Sequence, residues 1–213
     1  MRQGKPMGMM KAVYGMLLAS SLVLALAACS ILPRNEPVVI DRYTLETTAW
    51  PTREAGLGAP VLLVTRPLAR VELDTPRMAY REQDYQLRYF ARSRWADIPA
   101  QLLLPGLVEA LEASGHFGAV VRVGSAARPD LRLDVELLEF SQDFRVTPSE
   151  FQLRLRLQLV DLETRAVLAS RLFSTHAAAP ERSPRGVAAA ANAAWQTLLP
   201  ELVAFCADSL AGR

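Results

Sequence analysis

Two hydrophobic rhythms alternate along the chain from residue 41 onward, one of period two and one near 3.6, and each switch marks a new element. In residues 42–47, Tyr43 and Leu45 alternate with polar neighbours, which predicts a strand with one face in the core. Val61, Leu62, Leu63 and Val64 run without interruption, the pattern of a buried central strand. Residues 50–60 between them are rich in Pro, Gly and Ala and read as a loop. Two short runs, residues 78–81 and 85–89, flank Glu82, Gln83 and Asp84, a separation suited to a tight hairpin. Residues 117–123 read as a further strand.

The clearest alternation comes later. Leu131, Leu133, Val135 and Leu137 face one way and Arg132, Asp134 and Glu136 the other; the apolar phase then slips to Leu138, Phe140 and Phe144, which predicts a β-bulge near Leu137 and Leu138. After a turn at Thr147, Pro148 and Ser149, the run Phe151, Leu153, Leu155, Leu157, Leu159 alternates with Gln152, Arg154, Arg156 and Gln158, so the two strands should form a long hairpin. Residues 167–176 add a third strand after a turn at 161–165.

The 3.6 rhythm appears twice. Ile98, Leu102, Leu103, Leu107 and Leu111 make one stripe, with Asp97 placed as the cap, Ser114 and Gly115 as the stop, and Pro105 predicting a kink or restart. Ser183 followed by Pro184 opens the second helix. Its Val187, Ala191, Ala194, Trp195, Leu198, Leu202 and Phe205 share one side, and Pro200 predicts a bend. The element order argues an α+β fold: a mostly antiparallel β-sheet with two main helices packed on one face, forming a single domain over residues 41–213.

Upstream of that domain the pattern has no such rhythm. Arg2, Lys5 and Lys11 precede residues 12–28, which are apolar or small throughout, and no acid occurs before Cys29. This is the anatomy of a secretory signal peptide, too short and wrongly flanked for a spanning helix. Leu26, Ala27, Ala28 and Cys29 resemble a bacterial lipobox, which implies cleavage between Ala28 and Cys29, removal of residues 1–28, thioether lipidation of Cys29 and acylation, typically palmitate, of the new N-terminus. An ordinary signal peptide with a coincidental cysteine is the alternative. Each buried methylene contributes about 0.8 kcal/mol, so several acyl chains hold a small domain on a bilayer where one would let go. Residues 29–40, with Pro33, Asn35 and Pro37, suit a flexible tether. Ser30 in place of aspartate favours the periplasmic face of the outer membrane, by analogy with enterobacterial lipoprotein sorting.

Removing residues 1–28 changes the charge picture. The whole chain carries 24 Lys and Arg against 22 Asp and Glu, but both lysines and Arg2 lie in the removed segment, so the remainder is close to neutral and its basic residues are all arginine. No nucleic-acid partner is expected, because nothing concentrates positive charge. Lysine Schiff-base chemistry is excluded from the mature chain. Cys206 is then the one remaining thiol, in a helical pattern that suggests a small buried residue rather than a reactive one. His116 and His176 lie sixty positions apart with no companion ligand at helical spacing, so no metal site is expected. Neither a Gly-X-Ser-X-Gly elbow nor a phosphate loop is present, and Glu109 and Glu112 fall on the polar side of their helix. The chain does not read as an enzyme, and the expected cofactor set is empty apart from the covalent lipid on Cys29.

One cluster combines aromatic residues with arginine: Tyr80, Tyr85, Arg88, Tyr89, Arg92, Arg94 and Trp95. Such a mixture suits a partner-docking surface. Ordinary hairpin packing, with Trp95 buried at the helix entrance, explains it equally well. The same stretch carries a family resemblance, through Leu73-Asp74-Thr75-Pro76-Arg77-Met78-Ala79-Tyr80-Arg81, Leu87-Arg88-Tyr89-Phe90, Arg94-Trp95-Ala96-Asp97-Ile98-Pro99 and the run Leu-Glu-Ala-Ser-Gly-His-Phe at 111–117. These resemble the ABC-type transport auxiliary lipoproteins, the PqiC-like proteins, and only Pro105 and Pro200 depart from the family helices. The resemblance implies an outer-membrane-tethered periplasmic subunit that works with an MCE-domain protein. Through that protein it would serve an inner-membrane permease and ATPase, moving lipids or other hydrophobic molecules between membranes. It supplies no catalytic residues, and a homo-oligomer is compatible with it. A periplasmic hydrolase with a noncontiguous site and a chaperone for outer-membrane assembly are the rival readings.

Overall fold

The computed structural model describes residues 39–46 and 49–211. The signal segment, Cys29, the tether up to residue 38, and Thr47 lie outside the described residues.

Three long strands form the spine: β7 (Leu131–Asp143), β8 (Glu150–Asp161) and β9 (Val167–Ala178), paired antiparallel in sequence order. The remaining strands are β1 (Asp41–Tyr43), β2 (Val61–Val64), β3 (Leu68–Ala69), β4 (Arg77–Arg81), β5 (Arg88–Trp95) and β6 (Ala119–Arg122). Because β7 is 13 residues long, its free edge is shared by three short strands in succession, all parallel to it. Here β2 pairs near its start, β3 in the middle and β4 at its end. Beyond β2 lies β6, also parallel; beyond β4 lie antiparallel β5 and then parallel β1. The sheet is therefore forked and mixed: its long pairings are antiparallel, as periodicity suggested, and parallel short strands are added along its other edge. Periodicity reports which side chains are buried and is blind to the direction of the neighbouring strand.

The bulge falls where the phase slip placed it: the register between β7 and β8 shifts between Leu137 and Glu139. Before the shift Leu133, Val135 and Leu137 stand opposite Leu159, Leu157 and Leu155; after it Phe140 stands opposite Leu153, so one buried face continues across the slip. Each such leucine contributes about 1.5–3 kcal/mol on burial, and in-register slippage by one residue would turn the whole row to solvent. The opposite face is polar and paired, Arg132 with Asp134 and Arg156 with Glu136.

Helix α1 (Pro99–Ala113) packs on β6, helix α2 (Pro184–Ala211) packs on β8 and β9, and the helices touch each other. All seven residues expected on the inner side of α2 are buried, and the Ser183 hydroxyl accepts the Gly186 N–H at 3.0 Å as the expected cap. At α1 the cap differs from expectation. Ile98 occupies the capping position without a side-chain bond, and Asp97 Oδ1 instead accepts the Ile98 N–H at 2.7 Å. Pro99 at the first turn lacks the donor that a cap would serve. Both helices run through their internal prolines, Pro105 and Pro200, as single elements. Burial of the faces that flank each proline outweighs the one hydrogen bond lost.

Candidate docking surface at the β4–β5 hairpin

Residues 82–87 join β4 to β5, and the Gln86 N–H donates to the Gln83 carbonyl at 3.4 Å to close the turn. Tyr85 sits inside it with φ of +61°, in the left-handed region, where a side chain crowds the backbone at a cost of about 1–2 kcal/mol. Glycine is the usual residue at such a position. Tyr85 was expected at the start of the second strand; it is instead the tip, and its side chain is fully exposed.

The tip is braced from two other loops at the same end of the sheet. Arg145, in the β7–β8 turn, reaches Asp84 at 2.6 Å and Asp143 at 2.7 Å. Arg88 meets Glu82 at 3.1 Å, and Arg182, in the loop before α2, approaches the same carboxylate at 3.9 Å. The Arg182 guanidinium also lies 4.4 Å from the centre of the Phe144 ring. Phe144 joins Tyr80 and Phe90 in an aromatic trio beneath the tip, with centroids 4.7 to 6.3 Å apart. The hydrogen bonds from Arg145 hold the Asp143 carboxyl below its usual range, against the opposing push of burial. Asp143 and Asp84 in turn hold Arg145 firmly protonated.

The seven residues singled out in the sequence separate into two groups. Trp95 is buried against Phe140 and Phe151, so it belongs to the core and not to a docking surface. Arg94 folds back to donate to the carbonyls of Phe90 at 2.7 Å and Ser93 at 2.9 Å. Tyr80 is half-buried in the aromatic trio. Tyr89 donates its hydroxyl to the Glu72 carbonyl at 3.0 Å, under the Arg77 guanidinium. Only Tyr85, Arg88 and Arg92 remain exposed. The bracing residues Asp84, Asp143, Arg145 and Arg182 were not singled out. They converge from loops far apart in sequence, and no spacing rule links them.

Other reactive groups stand apart from this end. Burial pushes the Cys206 thiol up to about 12, so it stays protonated and inert at neutral pH. His116 is exposed after α1, and His176 stands opposite Gln152 on β9. Among the described residues, no group of three or more His, Cys, Asp and Glu side chains is arranged to hold a metal, and no helix is long and apolar enough to cross a membrane.

The family model for ABC-type transport auxiliary lipoprotein components matches residues 43–203. The chain belongs to this family. Among solved structures it is similar to a Xanthomonas campestris protein of family DUF330, at 27% identity with a TM-score of 0.68, covering 80% of this chain and 95% of that one. An uncharacterized protein shares the fold at 15% identity and a TM-score of 0.63, covering 79% of this chain and 99% of that one. So does the hypothetical protein CT253 from Chlamydia trachomatis, at 10% identity and a TM-score of 0.52, over 73% of this chain and 100% of that one. No curated protein matches the sequence.

The pieces that carry the family resemblance are those that lock the hairpin to α1. The Trp95 N–H donates to the Pro76 carbonyl at 2.7 Å, the Ala96 N–H donates to Tyr43 at 2.6 Å, and Pro99 opens the helix. At the far end of α1 the Ser114 hydroxyl donates to Leu111 at 2.6 Å and Gly115 takes φ of +70°. Phe117 then enters the core. In this auxiliary lipoprotein the recognisable motif is thus a structural splice, and the exposed tip lies beside it.

Proposed function

We propose that this chain is an outer-membrane lipoprotein, acylated on Cys29 and tethered through residues 29–40. From there it docks an MCE-domain protein and couples it to transport of lipids or other hydrophobic molecules by an inner-membrane permease and ATPase. The family match over residues 43–203 is the observation that carries this reading. The module works by contact, without a catalytic step of its own.

Its docking edge is the outer side of β9. Among the described residues this 12-residue strand pairs with β8 alone, which leaves a row of backbone donors and acceptors open to an added strand. Leu172 is half-exposed at its middle, opposite Arg156. The test is a photo-crosslinking side chain in place of Leu172 in the full-length, membrane-bound protein. A covalent product with an MCE-domain protein of the same cell is expected; capture of no such protein, with the anchor intact, overturns the reading. Labelled palmitate should enter the wild-type chain and not the Cys29→Ala variant.

A further inference from the structure

We infer that the β4–β5 hairpin tip is a second membrane contact, in which Tyr85 rests at the headgroup level of the bilayer that holds the lipid anchor. This rests on the proposed acylation of Cys29. The argument begins with strand direction. β1 pairs parallel to β5, Asp41 opposite Ser93 and Tyr43 opposite Trp95, so the chain arrives at Asp41 from the side on which β5 begins. β5 begins at the hairpin tip. The start of β1 and the hairpin tip therefore lie toward the same side of the domain.

Lengths agree with this placement. From Ser93 back to Arg88 is about 17 Å of strand at about 3.4 Å per residue, with the turn beyond it. Twelve residue-to-residue steps lead from Cys29 to Asp41. A flexible segment of that length has a root-mean-square span of about 20 Å and a limit of about 40 Å. A coil of that length thus spans about the overhang of the tip, so anchor and tip can reach one bilayer together.

The chemistry of this end suits a lipid surface. Tyr85 is fully exposed on a strained turn that glycine would relieve, beside the ion pair of Asp84 with Arg145. Val146 in the adjoining turn, and Val39 and Ile40 beside the tether, are exposed as well. Tyrosine is a residue of the membrane interface, its ring among the acyl chains' upper carbons and its hydroxyl among the headgroups. Arg88, Arg145 and Arg182 here are paired with Glu82, Asp84 and Asp143, so the contact is amphipathic rather than polybasic. It should therefore survive high salt.

The experiment uses the full-length acylated protein in vesicles of phosphatidylethanolamine and phosphatidylglycerol, with or without brominated acyl chains. One variant carries a fluorophore at residue 146 through Val146→Cys, another at residue 57 through Leu57→Cys; Leu57 is fully exposed and lies in the loop before β2. The native Cys206, buried and protonated, does not compete for the label. Bromine should quench the label at 146 several-fold more than the label at 57. Tyr85→Gly should cut that quenching at least twofold without lowering Tm, because glycine relieves the turn; a purely structural tyrosine would not behave so. If the protein floats with the vesicles and both labels stay unquenched, the tip contact is overturned while the anchor stands. Should Tyr85→Gly then weaken capture of the MCE-domain protein, the tip belongs to that protein. If the protein does not float, anchor and tip contact fall together. Quenching that Tyr85→Gly leaves unchanged removes Tyr85 from the contact.

Discussion

Single residues at positive φ show how one backbone angle can serve either packing or exposure. Gly115 and Gly124 both lie in the left-handed region, at +70° and +97°, but their surroundings differ. A Cβ on Gly115 would come within 2.9 Å of the Arg53 Cβ and 3.0 Å of two backbone carbonyls, whereas nothing lies within 4 Å of Gly124. Gly124→Ala should therefore cost about 1–2 kcal/mol, the conformational penalty alone. Gly115→Ala should cost visibly more, since the loop that donates the Arg53 N–H to the Ala113 carbonyl has to move. Denaturant melts of the two variants check this, and equal costs would contradict it. Gly115 was legible in the sequence as a helix stop. Tyr85 was not legible as a tip, because an aromatic residue beside a short polar run reads as strand and nothing local announces a positive φ.

At the scale of elements, the braced end of the sheet is a pH-sensitive device. Asp143 is held below its ordinary carboxyl range, chiefly by hydrogen bonds from Arg145, so its contribution to stability is complete above about pH 4 and fades as pH falls through the depressed folded value. Asp143→Asn should cost about 1 kcal/mol at neutral pH, discounted because Arg145 faces solvent. The gap from wild type should close in acid. Thermal melts from about pH 3 to pH 7 measure both limbs; a gap independent of pH would show that the charge plays no part. Strands β7 and β8, including the bulge, were readable because each has a buried and a solvated side. The two-residue strand β3 was missed, since two residues make no period.

For the molecule as a whole, the contact between helices decides a sign that local propensity gets wrong. Gly106 lies inside α1, where replacement by alanine is ordinarily worth about 1 kcal/mol of added stability. Here a Cβ would stand 2.9 Å from Nε1 of Trp195, a ring on α2 that is itself buried. Gly106→Ala should lower stability and separate the two helices over the sheet, measured as a lower Tm and a red-shifted tryptophan emission. A higher Tm would mean that the helix layer yields more easily than its packing implies.

The chain's own order of residues determined the elements, the helical faces, the bulge, the α+β class and the family resemblance, because each depends on periodicity or on residues near one another in sequence. The forked, mixed sheet, the burial of Trp95, the bracing of Asp84, Asp143, Arg145 and Arg182, and the placement of the start of β1 on the same side as the hairpin tip were decided only by tertiary structure. They depend on which strand lies beside which and in what direction. That choice is made by the joint burial of side chains distant along the chain, and no local pattern carries it.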